Sequence, residues 1–132
     1  MNTDGSERKA GALLEEELTE KILGAAFKVH NTLGCGFLEK VYENALALEL
    51  RMAGVAVESQ KAVHVLYDGA VVGEYVADLF VGHRVIVECK AVTTIDPIPE
   101  AQLLNYLRAT SARVGLLLNF GRPKLQHRRL VH

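Results

Sequence analysis

Residues 85–92 read VIVECKAV, an apolar run interrupted by two opposite charges, Glu88 and Lys90. Side chains alternate along a strand, so Glu88 and Lys90 share one face with Ile86, and the odd-numbered residues form the other. Both faces carry apolar residues, which predicts a central, buried strand. A buried carboxylate and a buried ammonium are costly unless they are paired or bound to a metal, so these two charges need partners.

The nearest partner lies in the preceding stretch, EYVADLFV, which contains Asp78 and leads into a Gly-His turn. A two-residue loop between the two strands would set Asp78 opposite Val87. A three-residue loop, 82–84, would set it opposite Glu88. Because a shift of one residue moves a side chain to the other face, we predict the second register, or a bulge with the same effect.

In that register the Cβ atoms of Asp78 and Glu88 would be about 5 Å apart. Two carboxylates this close repel, so one takes up a proton or a cation lies between them. Their oxygens favour Mg²⁺ or Mn²⁺. Lys90 would offset part of the negative charge and could hold a water molecule or a phosphate oxygen. The alternative is a purely structural ion pair between Lys90 and Asp78, and the short pattern alone leaves both open.

The rest of the chain predicts an α/β protein with a mixed sheet flanked by helices on both faces, in the order α-α-β-β-β-α-β-(β). Apolar periodicity and turn residues give helices at 18–33, 38–53 and 100–110, and strands at 55–67, 71–81, 85–92, 114–119 and 125–131. Polar residues 1–11 are expected to be disordered, and residues 12–132 to form a single domain.

Composition narrows the class of protein. The chain has 132 residues, 49% of them hydrophobic, and a net charge of −1, so no overall basic field points to nucleic acid. The segment after Glu100 has basic but no acidic residues, which fits either phosphate contact or a solvated surface. There is no membrane-length apolar run and no signal-peptide core. Cys35 and Cys89 are isolated, which suggests a reducing cytoplasm and two packing residues.

Two residue pairs at helical spacing accompany the charged strand. In GFLEKVY, Glu39 and Tyr42 are three residues apart, and in AQLLNYLRA, Gln102 and Tyr106 are four apart. Each pair therefore lies on one face of its helix. Taken singly, Glu39 and Gln102 would be surface residues of their helices, and Tyr42 and Tyr106 would be packing residues.

Together these stretches resemble the GxxExxY family, a branch of the PD-(D/E)xK nuclease-like superfamily. Gly36, Glu39 and Tyr42 match the motif that gives the family its name. The blocks EYVADLFV, VIVECKAV, AQLLNYLRA and RVGLLLNFG are also similar to the family's, so the resemblance extends from about Leu18 to the end.

The resemblance implies a restriction-endonuclease-like core and Mg²⁺- or Mn²⁺-dependent hydrolysis of phosphodiester bonds in DNA or RNA, by a water molecule that the metal activates. On that pattern Asp78 and Glu88 would ligate the metal, and Glu39 would add a direct or outer carboxylate. Lys90 would position the water. These four residues are the predicted catalytic set.

The predicted substrate-binding residues are Gln102, Tyr106 and Tyr42. The first two resemble a motif of the RecB-like exonuclease branch that lies beside the catalytic centre. Two departures are visible: Ala77 stands where the superfamily name has proline, and Cys89 fills the variable position between Glu88 and the lysine. Neither position supplies a ligand in the pattern.

The sequence is also compatible with two other classes of protein. The small size also fits a non-catalytic nucleic-acid-binding or accessory module on the same fold, and a metal- or anion-binding accessory protein is a third possibility. The expected partner is nucleic acid, DNA ahead of RNA, with no membrane association and a cytoplasmic location. An edge strand at 125–131 is compatible with a homodimer or with an unidentified protein partner.

Overall fold

The computed structural model describes residues 15–132, so the predicted disorder of residues 1–11 lies outside the described residues. The described chain forms three helices and five strands in the predicted order. They are α1 (Glu16–Leu33), α2 (Glu39–Met52), β1 (Val57–Tyr67), β2 (Ala70–Val81), β3 (Val85–Lys90), α3 (Pro97–Ala109), β4 (Val114–Asn119) and β5 (Gln126–Val131).

Most boundaries lie within two residues of the sequence-based expectation, and the start of α3 differs by three. Helix α3 begins at Pro97 rather than at Glu100, because the Asp96 carboxylate accepts a hydrogen bond from the Ile98 amide at 3.0 Å and caps the first turn. Strand β3 ends at Lys90, two residues before the predicted end.

The five strands form one sheet in the order β1-β2-β3-β4-β5. Neighbouring strands are antiparallel except β3 and β4, which are parallel and are connected through α3. The sheet is therefore mixed, as predicted, and β3 lies at its centre.

Helices cover both faces of this sheet. On one face α1 and α2 pack against apolar residues that include Val87 and Leu116. On the other face α3 packs against Ile86 and Leu117. Gly115 permits the close approach of α3, since a Cβ atom at that position would lie 2.9 Å from the Leu103 side chain.

The loop between β2 and β3 has the predicted length of three residues. Val81 pairs with Val85, and the Arg84 amide donates to the Val81 carbonyl at 3.1 Å. Gly82 and His83 both have positive φ, 60° and 58°, which turns the chain tightly. The register prediction is confirmed.

Strands β1 and β2 continue past β3 as a two-stranded hairpin arm, residues 61–77. Only residues 79–81 of β2 pair with β3, whereas the pairing of β1 with β2 extends to Tyr67 and Ala70. Half a dozen large apolar side chains on the arm are exposed: Leu66, Tyr67, Val71, Val72, Tyr75 and Val76. At the base of the arm Gln60 interrupts the ladder with a φ of 57°.

The chain that follows β3 is fixed by a buried amide. Asn119 accepts hydrogen bonds from the amides of Val92 and Gly121, each at 3.0 Å, and donates to the Val92 carbonyl at 2.9 Å. A Cβ atom on Gly121 would collide with the backbone nitrogen of Val92. These contacts hold the backbone two residues beyond Lys90.

The two cysteines lie in different environments. Cys89 is buried in the core as predicted, but Cys35 is exposed in the loop between α1 and α2, so the packing role predicted for Cys35 is wrong. Among residues 15–132, no helix combines the length and the hydropathy that a membrane span requires.

Candidate active site

The site is centred on the point where β2 leaves β3. The ladder ends at Leu79 and Val87, and the next residues on the two strands are Asp78 and Glu88. From this point the two strands are joined by hydrogen bonds from backbone amides to these side chains. The Asp78 amide donates to Glu88 Oε2 at 2.6 Å, and the Cys89 amide donates to Asp78 Oδ2 at 2.8 Å. The two carboxylates are thereby held beside each other.

Burial makes this pair of acids difficult to ionise. Burial raises the pKa of Glu88 to about 8, and the charge of Asp78 adds to the effect, whereas the Asp78 amide and Lys90 oppose it. Burial likewise raises the pKa of Asp78 to about 6, although the hydrogen bond from Cys89 opposes that rise. With no cation between them, the two carboxyl groups therefore tend to retain a proton near neutral pH.

Glu43 is a third acid of the site, and the sequence reasoning missed it. It is 4% exposed, and its Oε2 accepts hydrogen bonds from Lys40 Nζ at 2.6 Å and from Gln60 Nε2 at 2.9 Å. Its charge and a side-chain hydrogen bond with Asp78 help to raise the pKa of Asp78. Glu43 therefore brings α2 into contact with the carboxylate pair.

A signal for Glu43 was present in the sequence. Glu43 precedes Leu46, Ala47 and Leu50 by three, four and seven residues, so it lies on the buried face of its helix. A carboxylate on such a face requires a partner. Glu39, which the motif singled out, is instead exposed at the first position of α2.

Lys90 lies close to both central acids without bonding to either. It is the last residue of β3 and is partly buried. Its charge lowers the pKa of Asp78 and of Glu88, which shows its proximity. The ion pairs of residues 15–132 do not include Lys90. The structural ion pair with Asp78 is therefore not formed.

Helix α3 brings Gln102 and Tyr106 to the acids from the face of the sheet opposite α2. Tyr106 is 5% exposed, and burial raises its pKa to about 12, with the charges of Glu88 and Asp78 adding to the rise. A side-chain hydrogen bond with Gln102 lowers it again. Both predicted residues thus lie together beside the carboxylate pair.

Tyr42 has a different position from the other predicted substrate-binding residues. It is fully buried, and its ring stacks on Phe120 with centroids 4.8 Å apart. Its hydroxyl donates to the Gly34 carbonyl at 2.6 Å and accepts from the Phe37 amide at 3.2 Å. This geometry favours the packing interpretation: Tyr42 shapes the loop before α2.

The ligand atoms that the acids offer are of the kind that binds a hard divalent cation. Within residues 15–132, no group of three or more His, Cys, Asp or Glu side chains is arranged to hold a metal ion. Asp78, Glu88 and Glu43 nevertheless offer only carboxylate oxygens, the donors that Mg²⁺ and Mn²⁺ prefer. Burial is the largest cause of the raised pKa values of Asp78 and Glu88, and a bound cation would favour their charged forms.

Comparisons with known proteins agree with this architecture. The crystal structure of SSO0001 resembles the fold with a TM-score of 0.52 and 17% sequence identity, over 71% of this chain and 50% of that one. This chain therefore spans half the length of SSO0001, and the likeness concerns the fold alone. The comparison with curated proteins gives no match. The sequence profile of the PD-(D/E)XK nuclease superfamily matches residues 16–130, nearly all of the described fold. The chain belongs to the PD-(D/E)XK nuclease superfamily.

Proposed function

We propose that the chain is a divalent-metal-dependent nuclease that hydrolyses phosphodiester bonds of nucleic acid, DNA ahead of RNA. One observation carries the proposal: Asp78 and Glu88 are held side by side at the point where two strands separate, with raised pKa values. Burying two like charges side by side is costly, and a divalent cation between them would offset that cost. Members of this superfamily typically use divalent metals.

The acids and the lysine have separate roles in this proposal. Asp78 and Glu88 would hold the cation, while Glu43, which is hydrogen-bonded to Lys40 and Gln60, and Glu39 would be outer carboxylates. A cation bound there would lower the pKa of a bound water molecule and place positive charge beside the phosphate. Lys90 orients the attacking water and stabilises the charge that develops on the phosphate oxygens. Hydrolysis forms a bond from phosphorus to the water oxygen and breaks the bond to the departing sugar oxygen.

Cleavage assays with single- and double-stranded DNA and RNA, in Mg²⁺ and in Mn²⁺, test this function. Lys90→Ala should lose roughly 100-fold or more in rate, since removal of one group that stabilises the transition state has about this effect. Asp78→Ala should lose activity entirely. Lys21→Ala, at an exposed lysine of α1 outside the basic segment that follows Glu100, is the matched control and should cleave like the parent. A parent protein that cleaves none of the substrates would refute the proposal.

A binding module without turnover is the second candidate. One observation favours it: Asp78 and Glu88 already accept backbone hydrogen bonds, so both carboxylates have partners without a metal. In a nuclease, Mn²⁺ should raise the melting temperature, and the rise should vanish in Asp78→Ala. Nucleic-acid binding without cleavage and without a thermal shift would support the module. A cytoplasmic location and homodimer formation stay predictions.

A further inference from the structure

A groove of about 700 Å³ runs between the hairpin arm and α3. The arm contributes Leu66 and Tyr75 to its wall, and α3 contributes Gln102, Tyr106 and Arg108. The lining is thus mostly apolar and aromatic, with a few polar groups at fixed positions, as in sites that take a small or extended ligand.

The groove leads to the candidate active site. Tyr106 lines the groove and packs in the same cluster as Ile86, which shares its face of β3 with Glu88. The rings of Tyr75 and Tyr106 are 5.9 Å apart and tilted by 48°. A chain bound in the groove would therefore contact Tyr75 and Tyr106 beside the face of β3 that carries Glu88.

The shape and chemistry of the groove favour an unpaired strand of nucleic acid over a duplex. Tyr75 is 49% exposed, so part of its ring is available for stacking. In a duplex the faces of each base are covered by its neighbours, whereas an unpaired base can stack on an aromatic side chain. Arg108 is exposed on the α3 wall and supplies a positive charge suited to a phosphate.

The charge distribution also favours a short single strand over a duplex. Proteins that grip duplex DNA neutralise many phosphates and present a basic stripe. This chain has a net charge of −1, and of the basic residues that follow Glu100 only Arg108 lines the groove. A groove with one cation in its wall matches a few phosphates of one strand.

We propose that the groove binds a single-stranded segment of nucleic acid, with an unpaired base stacked on Tyr75, a phosphate near Arg108, and the next phosphate directed toward Asp78 and Glu88. This inference rests on the proposed function, because it names the substrate form for the same site.

Fluorescence anisotropy with the full chain in EDTA tests the inference without cleavage. The probes are a labelled thymidine oligonucleotide of about 12 nucleotides and a duplex of the same length. The single strand should bind more tightly than the duplex. Tyr75→Ala should weaken single-strand binding about 5- to 100-fold, the loss expected for one stacked base. Tyr75→Leu, which keeps apolar bulk, should weaken it similarly, and Tyr75→Phe should retain it.

Tyr67→Ala is the matched control, since Tyr67 is 71% exposed on the same arm and does not line the groove. It should bind like the parent. Equal affinity for both probes, or unchanged binding in both Tyr75→Ala and Tyr75→Leu, would overturn the inference. A cleavage assay in Mn²⁺ separates this failure from that of the proposed function. Cleavage that is indifferent to Tyr75 refutes the groove alone, and Tyr75-dependent binding without cleavage refutes the nuclease alone.

Discussion

Gln60 shows how one backbone conformation contributes to the site. Its φ of 57° lies in the left-handed region, which is unfavourable for a residue with a Cβ atom. The interruption of the β1–β2 ladder at this residue lies opposite Asp78. In this conformation the Gln60 amide bonds to the Glu43 carboxylate. Strain of this kind persists where surrounding contacts enforce it, and functional sites are a common location.

Substitutions at Gln60 should reverse the ordinary order of stability. Gln60→Ala and Gln60→Gly both lose the hydrogen bond to Glu43, but only glycine is unstrained at positive φ. We expect Gln60→Gly to be about 1 kcal/mol more stable than Gln60→Ala in urea denaturation. At an ordinary strand position glycine is the less stable of the two by roughly 0.5–1 kcal/mol. That ordinary order, if observed here, would contradict the left-handed conformation.

The end of β3 depends on close contact with the chain after β4. Lys90 can occupy a defined position because the backbone around Val92 is bonded to Asn119 and packed against Gly121. The Lys90 carbonyl also accepts a hydrogen bond from the Phe120 amide at 2.8 Å. The parallel pair of strands thus fixes the lysine from one side while β2 supplies the facing acid from the other.

Two glycine-to-alanine substitutions test this packing. Gly121→Ala should destabilise the protein by about 2 kcal/mol or more, because its Cβ atom would meet the Val92 backbone, which no side-chain rotation can relieve. Gly24→Ala, in α1 with no atom within 4 Å of the added Cβ, should stabilise by roughly 0.5–1 kcal/mol. Urea denaturation measures both, and similar effects of the two substitutions would refute the close approach.

Sequence patterns predicted the individual helices and strands better than they predicted the contacts between them. Period and turn residues located the helices and strands, and loop length was enough to place Asp78 beside Glu88, because strand pairing is local across a three-residue turn. The approach of Glu43 depends on how α2 packs against the sheet. The closeness of Tyr75 to Tyr106 depends on the course of the hairpin arm. Neither contact has a fixed spacing along the chain, so periodicity could not reveal it.

At the scale of the whole molecule, the buried acids couple stability to pH. The folded pKa of Glu88 is about 8 and its ordinary value is 4.5, so between these values the metal-free folded state binds more protons than the unfolded state. The free energy of unfolding therefore falls as pH rises through this window. The stabilising contribution is fully present below about pH 4.5 and is lost above about pH 8. The total change is on the order of a few kcal/mol.

Urea denaturation in EDTA between pH 5 and pH 8.5 measures this coupling. Glu88→Gln cannot ionise at this position, so its free energy of unfolding should fall less steeply with pH than that of the parent. Glu20→Gln, at an exposed carboxylate in α1, should keep the parent's slope. Parallel profiles for the parent and Glu88→Gln would show that Glu88 ionises normally in the folded protein.

The central position of β3 in the sheet also has a consequence for folding during synthesis. The three acids and Lys90 all lie within residues 43–90, so a ribosome completes them before α3 and β4 emerge. Until β4 arrives, β3 has an open edge and apolar side chains on both faces, which is the form in which strands aggregate. A shortened protein that ends before Val114 would retain every proposed ligand, yet it would expose this edge and associate through it. The strand that begins at Val114 therefore protects the edge of β3 from other chains.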